Sequence, residues 1–176
     1  VVGVCSIIAT GEEPGRAGWP SSPEEQEKTL GAYASMAPPI IAWDNVRGAI
    51  SNTHLENALT TPFYDFRVLG FSDMMRLPFR CICTFTGNNC TLSGDMPRRC
   101  VICRLEPHTE HPDRLPAEMF RHPHIEDHAR KNRAKYVAAI LTIARAYVLA
   151  GMPDQGLRMG SFDRASGGLG WIELVG

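Results

Sequence analysis

The run Ile40-Ile41-Ala42-Trp43 is short, apolar and closed by Asp44. Such a run reads as a buried strand. A carboxylate at the C-terminal end of a central strand can hold magnesium, directly or through water, beside nucleotide phosphates. Asp44-Asn45 is equally a common way to open a turn. A second apolar run, CICTF, leads into Thr86-Gly87-Asn88-Asn89 and so delivers two carboxamides at its own C-terminal end. A side-chain amide there can orient an attacking water or contact a terminal phosphate. Gly87-Asn88 would also make an ordinary turn. Arg98 and Arg99 stand immediately before a third apolar run, Cys100 to Leu105. An arginine in that position can reach an adjacent subunit and neutralise charge on a transferring phosphoryl group, or it can simply be solvated.

Five of the six cysteines, Cys81, Cys83, Cys90, Cys100 and Cys103, lie close together, and His108 and His111 follow. Zinc is one reading of that density. The spacing argues for the other. Cys81 and Cys83 share one strand-like stretch, Cys100 and Cys103 another, and alternation places the second pair on opposite faces. A zinc knuckle needs a tight turn between paired ligands, so these thiols read as small core residues. His124 and His128 are one helical turn apart, but Glu does not directly follow the first histidine as a zinc protease helix requires. They read as surface histidines.

The elements that must position these groups are legible in outline. Ser22 offers an N-cap, Pro23 suits the first helical position and Glu24 and Glu25 favour the positive helix end, predicting a helix to about Met36 before Pro38-Pro39. Strands are expected at 40–43, 80–85 and 100–105, with a helix capped by Thr53 running through Leu59. Phe63 to Phe79 reads as a hairpin around Gly70-Phe71-Ser72-Asp73. A long helix is expected over His124 to Ala150, with Gly151 at its end and Pro153 beyond. Its early basic run, Arg130, Lys131, Arg133 and Lys135, reads as a solvated turn entering a buried helix. Residues 160–176 read as loosely held.

The chain has 176 residues, 44% of them hydrophobic and 21% charged, enough for one domain with a real core. Its formal charge of −1 makes no global case for nucleic acid or membrane. Sixteen glycines and thirteen prolines predict long loops. No apolar run approaches the roughly 20 residues of a membrane helix. No secretory pattern opens the sequence, so the cysteines are expected to be reduced in a cytoplasmic protein. Strands separated by helices predict an α/β layer with a helical C-terminal part.

The order of these signals resembles the ATPase region of AAA+ and superfamily-three helicases, and more narrowly primase-helicases of phages and integrative elements. The matching pieces are IIATG at 7–11, IIAWDNV at 40–46, FTGNN at 85–89, GDMPRRCVICRLEP at 94–107, FRHP at 120–123 and AAILTIARAYVLAGMP at 138–153. By that resemblance Asp44 matches the Walker B aspartate and binds magnesium through nucleotide. Asn88 matches the sensor-one asparagine, and Arg98 or Arg99 the arginine finger. The family places a DNA-channel hairpin just before the sensor strand, which would make Arg67, Arg76 and Arg80 phosphate contacts. A phosphate-loop motif, GxxxxGK[ST], is absent, since GEEPGRAG at 11–18 lacks its lysine and hydroxyl residue. Asn45 stands where many relatives carry a glutamate base, and Pro97 where a helix usually continues. Val1 to Thr10 resembles the helix that follows the phosphate loop.

The resemblance implies an α/β fold with a partial P-loop NTPase-type parallel sheet, flanking helices and a C-terminal helical region. Residues 1–107 would form the core and 108–176 the helical region. The parent would use ATP and Mg2+ to remodel DNA as a homo-oligomeric ring, while this chain would lack turnover. The alternatives are a zinc-stabilised binding module and a non-enzymatic assembly module.

Overall fold

The computed structural model describes residues 1–68, 73–107 and 109–153. Within them the chain is mixed helix and strand, with small parallel sheets. Among the described residues the α-helices are α1 (Val2–Thr10), α2 (Pro23–Met36), α3 (Thr53–Thr60) and α4 (Ile125–Leu149). The strands are β1 (Arg16–Ala17), β2 (Ile40–Trp43), β3 (Ala49–Ile50), β4 (Tyr64–Arg67), β5 (Met74–Leu77), β6 (Ile82–Phe85) and β7 (Thr91–Leu92). The main sheet is parallel in the order β1-β2-β6. β3 pairs with β7 in parallel, and β4 with β5 as an antiparallel hairpin.

β2 is central because both its faces can be covered. Ile41, Ala42 and Trp43 are all buried, and a parallel strand buried on both sides reads as an unbroken apolar run. Parallel neighbours need crossovers. α2 provides the one from β1 to β2, and α3 with the β4–β5 hairpin lies between β2 and β6. α2 starts as its sequence dictates: the Ser22 hydroxyl accepts from the Glu25 amide at 3.2 Å, and Pro23 opens the helix. It ends at Ala37 in the left-handed region (φ 46°), ahead of Pro38-Pro39.

One core results. Leu30 and Ala34 of α2, Ile41 and Trp43 of β2, Leu55 and Ala58 of α3, and Tyr64 and Phe66 of β4 pack together with Val46, Ile50, Cys81 and Met96. Trp43 is its centre. Trp19 and Tyr33 meet it edge-on at 4.9 and 5.3 Å, and Phe85 stacks at 6.2 Å. Truncating a fully buried aromatic of this kind costs about 3–5 kcal/mol. On β4 the alternation is clean: Tyr64 and Phe66 point in, Asp65 and Arg67 out. Phe66 lies over Gly31 of α2, where an added Cβ would sit 2.4 Å from the ring.

α1 packs against α4, burying Gly3, Ser6 and Ile7. Arg133 of α4 donates to the carbonyls of Ile7 and Ile8 at 3.0 and 3.1 Å and of Ala9 at 3.2 Å. The carbonyls of Ile8 and Ala9 are among those a helix C-terminus leaves unpaired, while that of Ile7 also accepts from the Gly11 amide at 2.9 Å. Arg133 therefore does more than solvate the first turns of α4. Farther along, Ile140, Leu141 and Ile143 are exposed at 55–71%, so the expected burial of that apolar stretch is absent.

Three further expectations are corrected. Thr53 does not cap α3: the Asn52 side chain accepts from the Leu55 amide at 2.9 Å, and Thr53 is the first helical residue. Asn52 is also held by Gln26, which donates to Pro20 O at 2.6 Å. Cys100 to Leu105 forms no strand, and Val101, Ile102 and Leu105 are 62–70% exposed. Among the described residues nothing pairs with it, and an unpaired strand gains no ladder of hydrogen bonds. The strand expected over 80–85 begins only at Ile82, after Pro78 and the buried Cys81. Residues 70–72, His108 and 160–176 lie outside the described residues.

Candidate functional site

β2 and β6 leave the main sheet together. The register is offset by 42 residues from Ile40↔Ile82 through Trp43↔Phe85, and the same offset returns at Ala49↔Thr91 in the β3–β7 pair. The two chains thus run side by side with a break at 44–48 and 86–90. Asp44 and Asn88 both lie in that break. Asn45 (φ 53°), Gly48 (φ 77°) and Asn89 (φ 58°) adopt left-handed backbone there, which lets each chain swerve and rejoin.

The swerve is held by close backbone contacts. The Thr86 amide donates to Trp43 O at 2.9 Å, and the Val46 amide donates to Thr86 O at 2.8 Å. A Cβ on Gly87 would lie 2.2 Å from the Val46 carbonyl oxygen, so glycine is required by proximity alone. The Thr86 hydroxyl donates to Asp44 Oδ1 at 2.5 Å and accepts from the Asn45 amide at 3.3 Å. Arg16 Nη1 lies 3.6 Å from Asp44 Oδ2. The Asp44 carboxyl is held below the usual carboxylate range, chiefly by the Thr86 hydroxyl and less by Arg16. It is therefore ionised at neutral pH, and its side chain is 45% exposed.

Metal fit follows from this donor set. One ionised carboxylate and one hydroxyl do not make a cage for a cation. They suit magnesium that brings phosphate and water for its other ligands. Among the described residues no three His, Cys, Asp or Glu side chains are gathered to hold a metal.

The remaining expected residues are distributed differently. Asn88 is exposed in the break, and no hydrogen bond joins its side chain to Asp44 among the described residues. Arg98 and Arg99 follow β7 on a single 3-10 turn, Met96–Arg98. Both address Asp95 and not Asp44. Arg99 forms a two-nitrogen contact with Asp95 and is 18% exposed, whereas Arg98 is 3.6 Å from Asp95 and 67% exposed. Of the pair, Arg98 is the one free to reach outward. On the hairpin, Arg76 grips Asp65 through two bonds of 2.6 and 2.9 Å, while Arg67 and Arg80 are exposed.

The cysteines divide by burial. Cys81 is buried, and Cys83, Cys90 and Cys100 pack around the core. Burial pushes the Cys83 thiol up to about 12, which makes it a poor ligand and nucleophile. Cys5 and Cys103 are exposed. His128 stacks on His122 at 3.7 Å and its Nε2 is 3.1 Å from the Tyr136 hydroxyl, so it fastens the preceding connection to α4. His124 precedes α4 and takes no part in that contact.

Thr86 and Arg16 are functional candidates that sequence reasoning missed. Thr86 could have been found: once 42 and 84 pair, Thr86 must stand beside Asp44. Arg16 had no such signal, because a two-residue strand inside a Gly- and Pro-rich loop shows no periodicity. No protein-family model matches this chain, and neither a curated protein nor a solved structure is similar to it.

Proposed function

We propose that the break between β2 and β6 is a magnesium–phosphate site. The chain is then a piece of a DNA-associated ATPase of the P-loop, AAA+ helicase type. One observation carries the reading: an ionised, partly exposed carboxylate, oriented by a neighbouring strand's hydroxyl, at the C-terminal end of a central parallel strand. Parallel sheets bind phosphate ligands beyond the carboxyl ends of their strands. The order β1-β2-β6 supports the reading, because it sets the Walker B-like and sensor-like strands side by side.

In this reading Asp44 holds the metal and Asn88 reaches the terminal phosphate. Arg98, exposed and loosely tied, serves a neighbouring subunit of a homo-oligomeric ring, with Arg99 bracing the turn through Asp95. Arg67 and Arg80, exposed and without an ion pair among the described residues, are the cations for DNA phosphate, and Arg76 is committed to Asp65. Magnesium supplies charge neutralisation of the phosphates. The chain has no glycine-rich loop with a lysine to cradle them, so millimolar affinity and no turnover are expected.

Amide NMR of the full chain titrated with Mg2+–ATP tests this. Shifts are expected at 44–46 and 86–89 and are expected to vanish in Asp44→Asn. Shifts confined to other regions, or unchanged in that variant, would overturn the reading.

A non-enzymatic assembly module is the second reading, favoured by the exposed Ile140, Leu141 and Ile143 of α4. Sedimentation showing tight self-association lost in Ile143→Asp, with no nucleotide response, would select it.

A further inference from the structure

The face of the main sheet opposite Trp43 carries a polar patch that appears only when the register is followed. Arg16 pairs with Ala42 and Ala42 with Thr84, so these three side chains stand abreast on one face. Two residues along, Asp44 and Thr86 stand on the same face. Three adjacent strands therefore contribute a guanidinium, a carboxylate and a hydroxyl to one place.

The three are not equally committed. Thr86 holds Asp44 Oδ1 in a short hydrogen bond. Oδ2 is left to Arg16 at 3.6 Å, which is too long for a hydrogen bond. The Arg16 side chain is 62% exposed, and no second acidic group approaches it among the described residues. Its backbone is fixed, since Arg16 and Ala17 pair with β2 and the Asp44 amide donates to Ala17 O at 2.9 Å. A fixed stem with a loosely held head can swing without disturbing the sheet.

Oδ2 is also the oxygen a cation would take. A guanidinium and a divalent metal cannot both occupy it, because like charges at that distance repel. A displaced guanidinium matches phosphate oxygens in geometry and charge. Resting on the magnesium–phosphate reading of Asp44, we propose that Arg16 is an exchange cation. It neutralises Asp44 while the site is empty, yields Oδ2 to the metal, and turns to the phosphate that the metal brings.

The two halves of this exchange have opposite signs, which makes it testable in the full chain. The first probe is Mn2+ alone, followed by broadening of the amides at 44–46 and 86–87. The second is Mg2+–tripolyphosphate, followed by the shifts of the same amides. Arg16→Gln is expected to tighten Mn2+ binding about 2- to 5-fold, the range an exposed ion pair supplies, and to weaken tripolyphosphate binding by a similar factor. Arg16→Lys keeps the charge and is expected to stay near the wild type in both. Changes of the same sign, or none, would overturn the exchange while Asp44-dependent broadening leaves the site standing. Broadening elsewhere, or unchanged in Asp44→Asn, would overturn site and exchange together. The amide spectrum of each variant reports that the fold is intact.

Discussion

Asp65 and Asp44 each face an arginine, and they are used differently. On the hairpin, Asp65 takes both terminal contacts of Arg76, at 2.6 and 2.9 Å, across directly paired positions of β4 and β5. Both oxygens are engaged, so the pair closes on itself and registers two strands. At the sheet break, Asp44 has one oxygen fixed by Thr86 and the other facing Arg16 at 3.6 Å. Its orientation comes from a neutral hydroxyl, which leaves its charge available. An aspartate satisfied by its arginine is structural, whereas one held by a hydroxyl with a cation standing off is equipped to exchange partners.

The backbone beneath each pair differs in the same sense, and the largest expected effect follows. At Gly87 an added methyl meets a carbonyl oxygen at 2.2 Å, and that carbonyl belongs to Val46, whose amide already bonds Thr86. Neither chain can yield without losing the contact. Gly87→Ala is expected to destabilise by about 3 kcal/mol, at the upper end for overpacking, and to release Thr86 from Asp44. At Gly31 the obstacle is a side chain, the buried Phe66 ring, and not backbone, and alanine's helix preference of about 1 kcal/mol offsets part of the overpacking. Gly31→Ala should therefore cost about 1 kcal/mol and leave the Asp65–Arg76 pair intact. Urea denaturation of both variants measures this. Equal losses would break the contrast between a rigid break and a yielding hairpin.

What the sequence made legible, and what it hid, divides along local and non-local causes. Ser22, Pro23 and the proline pair after Met36 determine α2 within a few residues of themselves, and both ends are where they point. Ile40–Trp43 is a strand because its apolar run is long enough for a central position. Cys100 to Leu105 has as strong an apolar pattern but no partner among the described residues, and pairing is not written in the strand itself. The cap of α3 went to Asn52 because Gln26, far away in sequence, helps fix it. Asp44 and Asn88 were visible as residue types at strand ends. That Asp44 leans on Thr86 and faces Arg16 depends on register, which pairs residues across 42 positions in one case and 26 in the other.

A smaller effect tests the buried side of the hairpin. The Tyr64 hydroxyl is buried without a hydrogen-bond partner among the described residues, and burial, with Glu27 nearby, pushes its ionisation up to about 12. An unsatisfied buried hydroxyl is a liability, so Tyr64→Phe is expected to leave stability unchanged or raise it by up to about 1 kcal/mol. Between the unfolded value near 10 and about 12, the unfolded state binds fewer protons than the folded one. Stability therefore falls as the pH rises from near 10 through about 12, because the folded state holds the Tyr64 proton more tightly than the unfolded chain does. Alkaline titration of stability should be shallower in the phenylalanine variant. A loss of stability at neutral pH would mean that the hydroxyl supports the hairpin after all.

The finest distinction lies in how the two carboxyl groups ionise. Asp65 is held below the usual range first by its hydrogen bonds to Arg76, and Asp44 first by the Thr86 hydroxyl. Both depressed values stabilise the fold above the ordinary aspartate range, and the contribution is lost as the pH falls through the folded value. The sign is shared, but the sensitivities are not. Carboxyl NMR titration of Arg76→Ala should return Asp65 toward the ordinary range, whereas Arg16→Gln should leave most of the Asp44 depression in place. Thr86→Val should remove that remainder. Salt separates them again: raising ionic strength screens the exposed Asp65–Arg76 pair, while a short bond from a neutral hydroxyl is little affected. If Asp44 followed Arg16 and salt as closely as Asp65 follows Arg76, the two pairs would be the same kind of contact. The sheet break would then have no oxygen held in reserve for a ligand.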